Sequence, residues 1–388
     1  MIKEIKIELK SLAELGRLQE FSPAASRLAG KINFRGQDLT NFTNWDFFNL
    51  NGASKVKRAA QSEIEVNGPG SNSSRLVTGT SLAHISCEGR IARFLGTESA
   101  VLFSSVNQAV LSLVAAVVSD KDCVVVDDQL QSPAIDVSYL VNADVINFET
   151  SNPDSLAKVL EQTKQYQERF LFVESISPLS GKRADLGVLS KIATEHGTHL
   201  IVDESYALGI EGLRGAGGCE RFKVGSKALV QYGSLAFGLG GYGAFVAGSK
   251  EIITYLINRS KTFSAEVALP SSIAAQVEAG INIVELQTGA RERFSTLSRS
   301  FRTRLKEIGF DVETGLDTPI VCLTVANRKV AEDLQEILFK KGYCVEVLSS
   351  PFVREEAAAV RFLLNVSHTP EIIDGVIKDL AEVYSKLI

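Results

Sequence analysis

Acids close several apolar runs of this 388-residue chain. "CVVVDD" ends on Asp127 and Asp128, "RFLFVES" on Glu174 and Ser175, and "THLIVDE" on Asp203 and Glu204. A carboxylate at the end of a buried strand can hold a proton, meet a cationic ligand group or orient a neighbour. A hydroxyl at Ser132 and a phenol at Tyr206 are further candidates, as nucleophile and acid. No histidine stands near Ser132 in the sequence, so filling space is the expected use of both. The stretch "YGSLAFGLGGYGAFVAGS", Tyr232–Ser249, is glycine-rich and uncharged, which marks a turn of close approach. Metal chemistry is not expected. His84, His196, His199 and His368 do not cluster, and Cys87, Cys123, Cys219, Cys322 and Cys344 never form a CxxC pair.

These groups need a scaffold. Between residues 85 and 250, β-branched and aromatic runs alternate with helical stretches such as "PDSLAKVLEQTKQYQE" and "LGVLSKIATEHG". Near-continuous apolar strands between helices imply a parallel sheet covered on both faces, with ligands bound beyond the carboxyl ends of its strands. Past residue 275 a long helix with a break near Gly289 leads into a smaller α/β unit. The expected division is an N-terminal arm and leading segment over 1–50, a large domain over 51–275 and a small C-terminal domain over 276–388.

With 45% apolar and 22% charged residues, the composition is that of a globular protein. A net charge of −5, with scattered Lys and Arg, gives no reason to expect nucleic acid. No apolar run is long enough to span a bilayer, and the charged, amphipathic start lacks a secretory signal, so a cytoplasmic location is expected.

The order of motifs resembles the α-oxoamine synthases, a branch of the fold-type I pyridoxal-phosphate (PLP) enzymes. Nearly the whole chain carries the resemblance: "DLTNFTNWDFFNL", the crossing loop "GPGSNSSRLVTG", "VDESYALGIEGLRGAG", "GLGGYGAFVAGS" and "VRFLLNVSHTPEII" follow in family order. It implies an aspartate aminotransferase-like α/β fold, a mostly parallel central sheet and an acyltransferase that condenses an amino acid with an acyl thioester. It also implies roles for single residues. Asp203 falls where the family pairs an acid with the pyridine nitrogen. Ser234 falls at the family's hydroxyl before the lysine, and Arg361, Arg75 and His84 fall at retained substrate and crossing-loop positions.

Other positions depart from the family. The Schiff-base lysine falls at Phe237, which has no nucleophilic nitrogen. Lys227 and Lys250 have the wrong spacing to replace it. Tyr206 and Ser132 stand for histidines, Pro178 for a serine, Trp45 for an asparagine, Ser349 for an arginine, and Val106 for the glycine of the phosphate turn. Trp45, Phe47, Phe48 and Phe237 are expected to fill vacated volume. The resulting expectation is a cleft with no catalytic residue at 237, no covalently bound cofactor, and doubtful PLP binding. Three functions remain open: a non-catalytic subunit paired with a lysine-containing homologue, a divergent acyltransferase, or a homodimer that binds a small molecule such as an amino acid or acyl thioester.

Overall fold

The computed structural model describes residues 1–14, 17–18, 21–28, 30–127, 132–350, 353 and 358–387. In chain order the elements are α1 (Ile2–Glu14), β1 (Ala24–Leu28), β2 (Lys31–Phe34), β3 (Gln37–Asn41), α2 (Ser54–Asn67), α3 (Leu82–Leu95), β4 (Ser99–Phe103), α4 (Val106–Val117), β5 (Cys123–Asp127), α5 (Pro133–Leu140) and β6 (Asp144–Phe148). Then come α6 (Pro153–Gln162), β7 (Arg169–Glu174), α7 (Leu186–Glu195), β8 (His199–Asp203), α8 (Gly218–Phe222), β9 (Ala228–Ser234), β10 (Ala244–Gly248), α9 (Lys250–Arg259), α10 (Lys261–Ser264) and α11 (Ser271–Val284). The chain closes with α12 (Thr288–Glu307), β11 (Ile320–Val325), α13 (Arg328–Lys340), β12 (Tyr343–Cys344), β13 (Glu346–Leu348), β14 (Ala358–Leu363) and α14 (Pro370–Leu387).

The expected sheet is present. Seven strands lie in the order β4-β10-β9-β8-β7-β5-β6. The pairs from β9 to β6 are parallel, and β10 alone runs against its neighbours β9 and β4. Val124, Val125, Val126, Leu171, Phe172, Ile201 and Val202 are buried whichever way they point, because helices cover both faces. One edge of this sheet therefore gathers the carboxyl ends of β5, β7, β8 and β9. In register, Glu174 stands beside Asp203, and Asp203 beside Tyr232.

The small unit is an antiparallel sheet, β11-β14-β13, packed on α12, α13 and α14. The arm joins it through a second sheet, β1-β2-β3-β12, and Phe42 enters the same core as Phe301, Phe362 and Leu380. The long helix comes as two, with its break at residues 285–287, a turn before Gly289. Arg291 explains that position: its Nη1 donates to the Val284 carbonyl at 2.8 Å and closes the end of α11. Among the described residues no helix is long and apolar enough to cross a membrane.

Candidate active-site cleft

Asp203 is buried at the last position of β8. Its Oδ1 accepts from the Ser205 backbone N–H at 2.8 Å. Burial raises its pKa above the carboxylate range, against the opposing bonds from Ser205 and Tyr232. Glu174, next to it on β7, is pushed up well above the usual value, first by burial and then by the charges of Asp203 and Asp127. Two neighbouring acids in a dry strand end thus favour holding protons. Glu204 is engaged elsewhere. It accepts from Ser175 Oγ and from the Gly218 and Cys219 N–H groups, and so ties the loop after β8 to α8. Asp128 lies outside the described residues.

Ser132 caps α5, accepting from the Ala134 N–H at 3.2 Å, and its Oγ sits 3.4 Å from the Tyr232 hydroxyl. Neither partner is a general base. Ser234 accepts from the Ala236 N–H, while its own N–H donates to Ser205 Oγ. The turn at Val106 is closed by the chain itself. Ser105 Oγ accepts from the Gln108 N–H and Gln108 Oε1 from the Ser104 N–H, so two of the donors around this helix start are already used.

Three rings pack together, with Tyr206 within range of the charges of Asp203 and Glu174. Phe237 stacks on Tyr206 with centroids 4.9 Å apart and planes 23° apart, and Trp45 lies 5.0 Å from Phe237 and 4.9 Å from Tyr206. Tyr206 has its phenol pKa raised by burial, then by Asp203 and Glu174, so it stays protonated at neutral pH. Phe47 and Phe48 are both buried in the core: Phe47 meets Trp45 edge-on at 6.1 Å, and Phe48 turns to Phe294, edge-on at 5.3 Å. The glycines of the turn are required by contact. A Cβ on Gly238 would lie 1.8 Å from the Leu208 carbonyl oxygen, and Gly240 holds φ +61° against Leu50. Lys227 precedes β9 and Lys250 follows β10. Both are exposed at the opposite end of the sheet from Phe237.

Arg361 completes the group from β14. Its guanidinium carbon sits 4.7 Å from the Trp45 ring centroid. Nε and Nη2 donate to Glu346 Oε2 at 3.1 and 2.6 Å, and Nη1 donates to the Pro178 carbonyl at 2.5 Å. A cavity of about 560 Å³ opens in front, walled by Trp45, Phe237, Asp46 and Glu346. Glu346 and the Pro178 carbonyl were not anticipated from sequence, and their only sequence signal was an ordinary strand and a proline.

The structure keeps two other candidates apart from these rings. Arg75 makes a two-pronged pair with Glu88 at 2.7 and 3.0 Å. His84 caps α3: Nδ1 faces the Ser81 N–H at 3.1 Å and Nε2 the Leu269 carbonyl at 2.6 Å. Among the described residues no three His, Cys, Asp or Glu side chains converge as metal ligands would.

The aminotransferase class I and II family profile matches residues 38–380. The chain is 28% identical to the 8-amino-7-oxononanoate synthase of Geobacter sulfurreducens over 389 aligned positions, covering 100% of this chain and 99% of that protein. It is 30% identical to the same enzyme of Methylococcus capsulatus, covering 91% of each. A structure of SPT with a PLP internal aldimine superposes with a TM-score of 0.92, at 22% identity, over 99% of this chain and 98% of that one. The 8-amino-7-oxononanoate synthase of Francisella tularensis superposes at 0.78, with 24% identity, over 90% of this chain and 99% of that one.

These relatives overturn the expectation of no cofactor and doubtful PLP binding, because the solved neighbours carry PLP and the family's cofactor is PLP. The residues meet that group unevenly: Asp203 offers the buried acid, and position 237 offers a ring instead of an amine. The fold, the cleft and the relatives agree: the chain belongs to the aminotransferase class I and II family and, within it, to the α-oxoamine synthases.

Proposed function

We propose that this chain is a non-catalytic subunit of a condensing acyltransferase that joins an amino acid to an acyl thioester, working in the cytoplasm beside a lysine-containing homologue. The observation that supports the reading is the Phe237–Tyr206–Trp45 stack, in which position 237 carries a phenyl ring and no amine. A phenyl ring can neither attack a carbonyl nor carry a proton between substrate atoms. The neighbouring groups do not take over. Tyr206 keeps its proton, so it serves as neither nucleophile nor base, and among the described residues Ser132 meets only the Ala134 N–H and the Tyr232 hydroxyl.

Pairing with another chain has separate support. Leu76, Val77, Leu82 and Ile85, around the crossing loop and the start of α3, are exposed, and such a cluster of apolar side chains suits burial against a partner. A second reading, a small-molecule-binding homodimer, is favoured by one observation, the cavity before Trp45 and Phe237.

The test is thiol release from acyl thioesters in the presence of amino acids, with PLP supplied. The purified chain alone is expected to give no turnover above a protein-free control. Phe237→Lys alone is expected to stay inactive, since it also removes the stack on Tyr206. Turnover by the wild-type chain alone would sink the reading.

A further inference from the structure

Arg361 has little left to offer a ligand. Its side chain is 7% exposed, and each side of its fork is already engaged: Nε and Nη2 by Glu346 Oε2, Nη1 by the Pro178 carbonyl, and one face by Trp45. A guanidinium in this setting binds carboxylates through two parallel N–H donors. The chain places its own carboxylate there. Glu346 lies directly across from Arg361 in the antiparallel pairing of β13 and β14, so the contact is fixed by strand register. Glu346 is also a wall of the cavity that holds Trp45 and Phe237, and its side chain is 37% exposed, so it is reached from that cavity.

We propose that Glu346 is a specificity-determining residue: it occupies the anion site of Arg361 in place of a ligand carboxylate, so the cleft rejects carboxylates there and admits ligands that lack one. The inference rests on the reading that this chain does not itself condense amino acids, for which a substrate carboxylate would have to be held. It concerns the ligand class of the same cleft. Without Glu346, the buried guanidinium keeps only the Pro178 carbonyl and the Trp45 face, and an incoming carboxylate supplies the missing acceptor.

Trp45 is the single tryptophan of the chain, so its emission reports this site alone. The experiment titrates full-length wild type, Glu346→Ala and Glu346→Gln with sodium acetate and with glycine, at ionic strength held constant with sodium chloride. Methylammonium chloride, which has no carboxylate, is the control. Glu346→Ala is expected to show a saturable change in Trp45 emission with a Kd at least about tenfold below any wild-type response, with Glu346→Gln between the two. Methylammonium is expected to affect all three proteins alike. Should the alanine variant fail to fold, the glutamine variant decides. Equal carboxylate binding by wild type overturns the inference, and so does the absence of any gain in a variant that still unfolds in one cooperative transition. The non-catalytic reading fails separately, by turnover of the wild-type chain, whatever these titrations give.

Discussion

Two arginine–glutamate pairs of similar geometry sit in different parts of the molecule. Arg75 and Glu88 are 9% and 12% exposed, and Glu88 Oε1 also accepts from the Leu102 N–H of β4 at 2.9 Å. That carboxylate holds the crossing loop, α3 and the sheet together. Arg361 and Glu346 are 7% and 37% exposed, and Glu346 faces a cavity. The first pair is sealed on both sides, whereas the second is sealed on the arginine side only. Distance alone does not separate a structural pair from one in a site. What the carboxylate does with its remaining surface does.

The largest effect should come from breaking the sealed pair. Glu88→Ala leaves Arg75 buried without its anion and the Leu102 N–H without its acceptor, at a cost of roughly 3–5 kcal/mol, read as a fall in the urea or thermal midpoint. A loss no greater than that of Glu346→Ala would erase the contrast. Glu346→Ala should cost about 1 kcal/mol, because solvent reaches its side of the pair, and bound acetate should recover part of that loss in the same melting assay.

A smaller, pH-dependent effect is expected from Asp203→Asn, which tests a buried acid whose partners among the described residues are the neutral Ser205 and Tyr232. Its folded pKa is raised, so folding disfavours the ionised form. The penalty is absent below the ordinary carboxylate pKa, grows as pH climbs towards the raised value, and is constant above it. Relative to wild type, Asp203→Asn should therefore gain stability between acid and neutral pH. A difference that is flat with pH would show that folding leaves the Asp203 pKa unshifted, and a slope of the opposite sign that Asp203 is held charged.

His368 supplies the opposite sign. Burial lowers its pKa to about 4, and its ring stacks on Phe42 with centroids 4.2 Å apart. The unfolded chain binds the proton more readily, so stability should fall as pH drops from the ordinary histidine range to about 4 and change no further below it. His368→Asn should remove that slope from pH-dependent melting curves.

The seven-stranded sheet could be read from residue patterns because buried parallel strands are apolar on both faces, and Val124–Val126 or Leu200–Val202 need no partner to announce themselves. The strand-end acids were legible for the same reason. The arm strands β1–β3 were not, since β1 is largely exposed and β3 pairs with β12, about 300 residues away. The placing of Phe48 against Phe294, while Phe47 supports Trp45, was equally hidden: adjacent aromatics look alike until packing sorts them.

The residue types alone determined the fold class, the end of the sheet where a cleft must open, and the ring at position 237, since these follow from periodicity and from which side chains exist. Tertiary structure decided which groups meet. Arg361 reaches Pro178, 183 positions earlier, and Trp45 reaches Phe237 across the cleft. Such long-range pairings come from register and burial together, and neither is written in any local stretch of sequence.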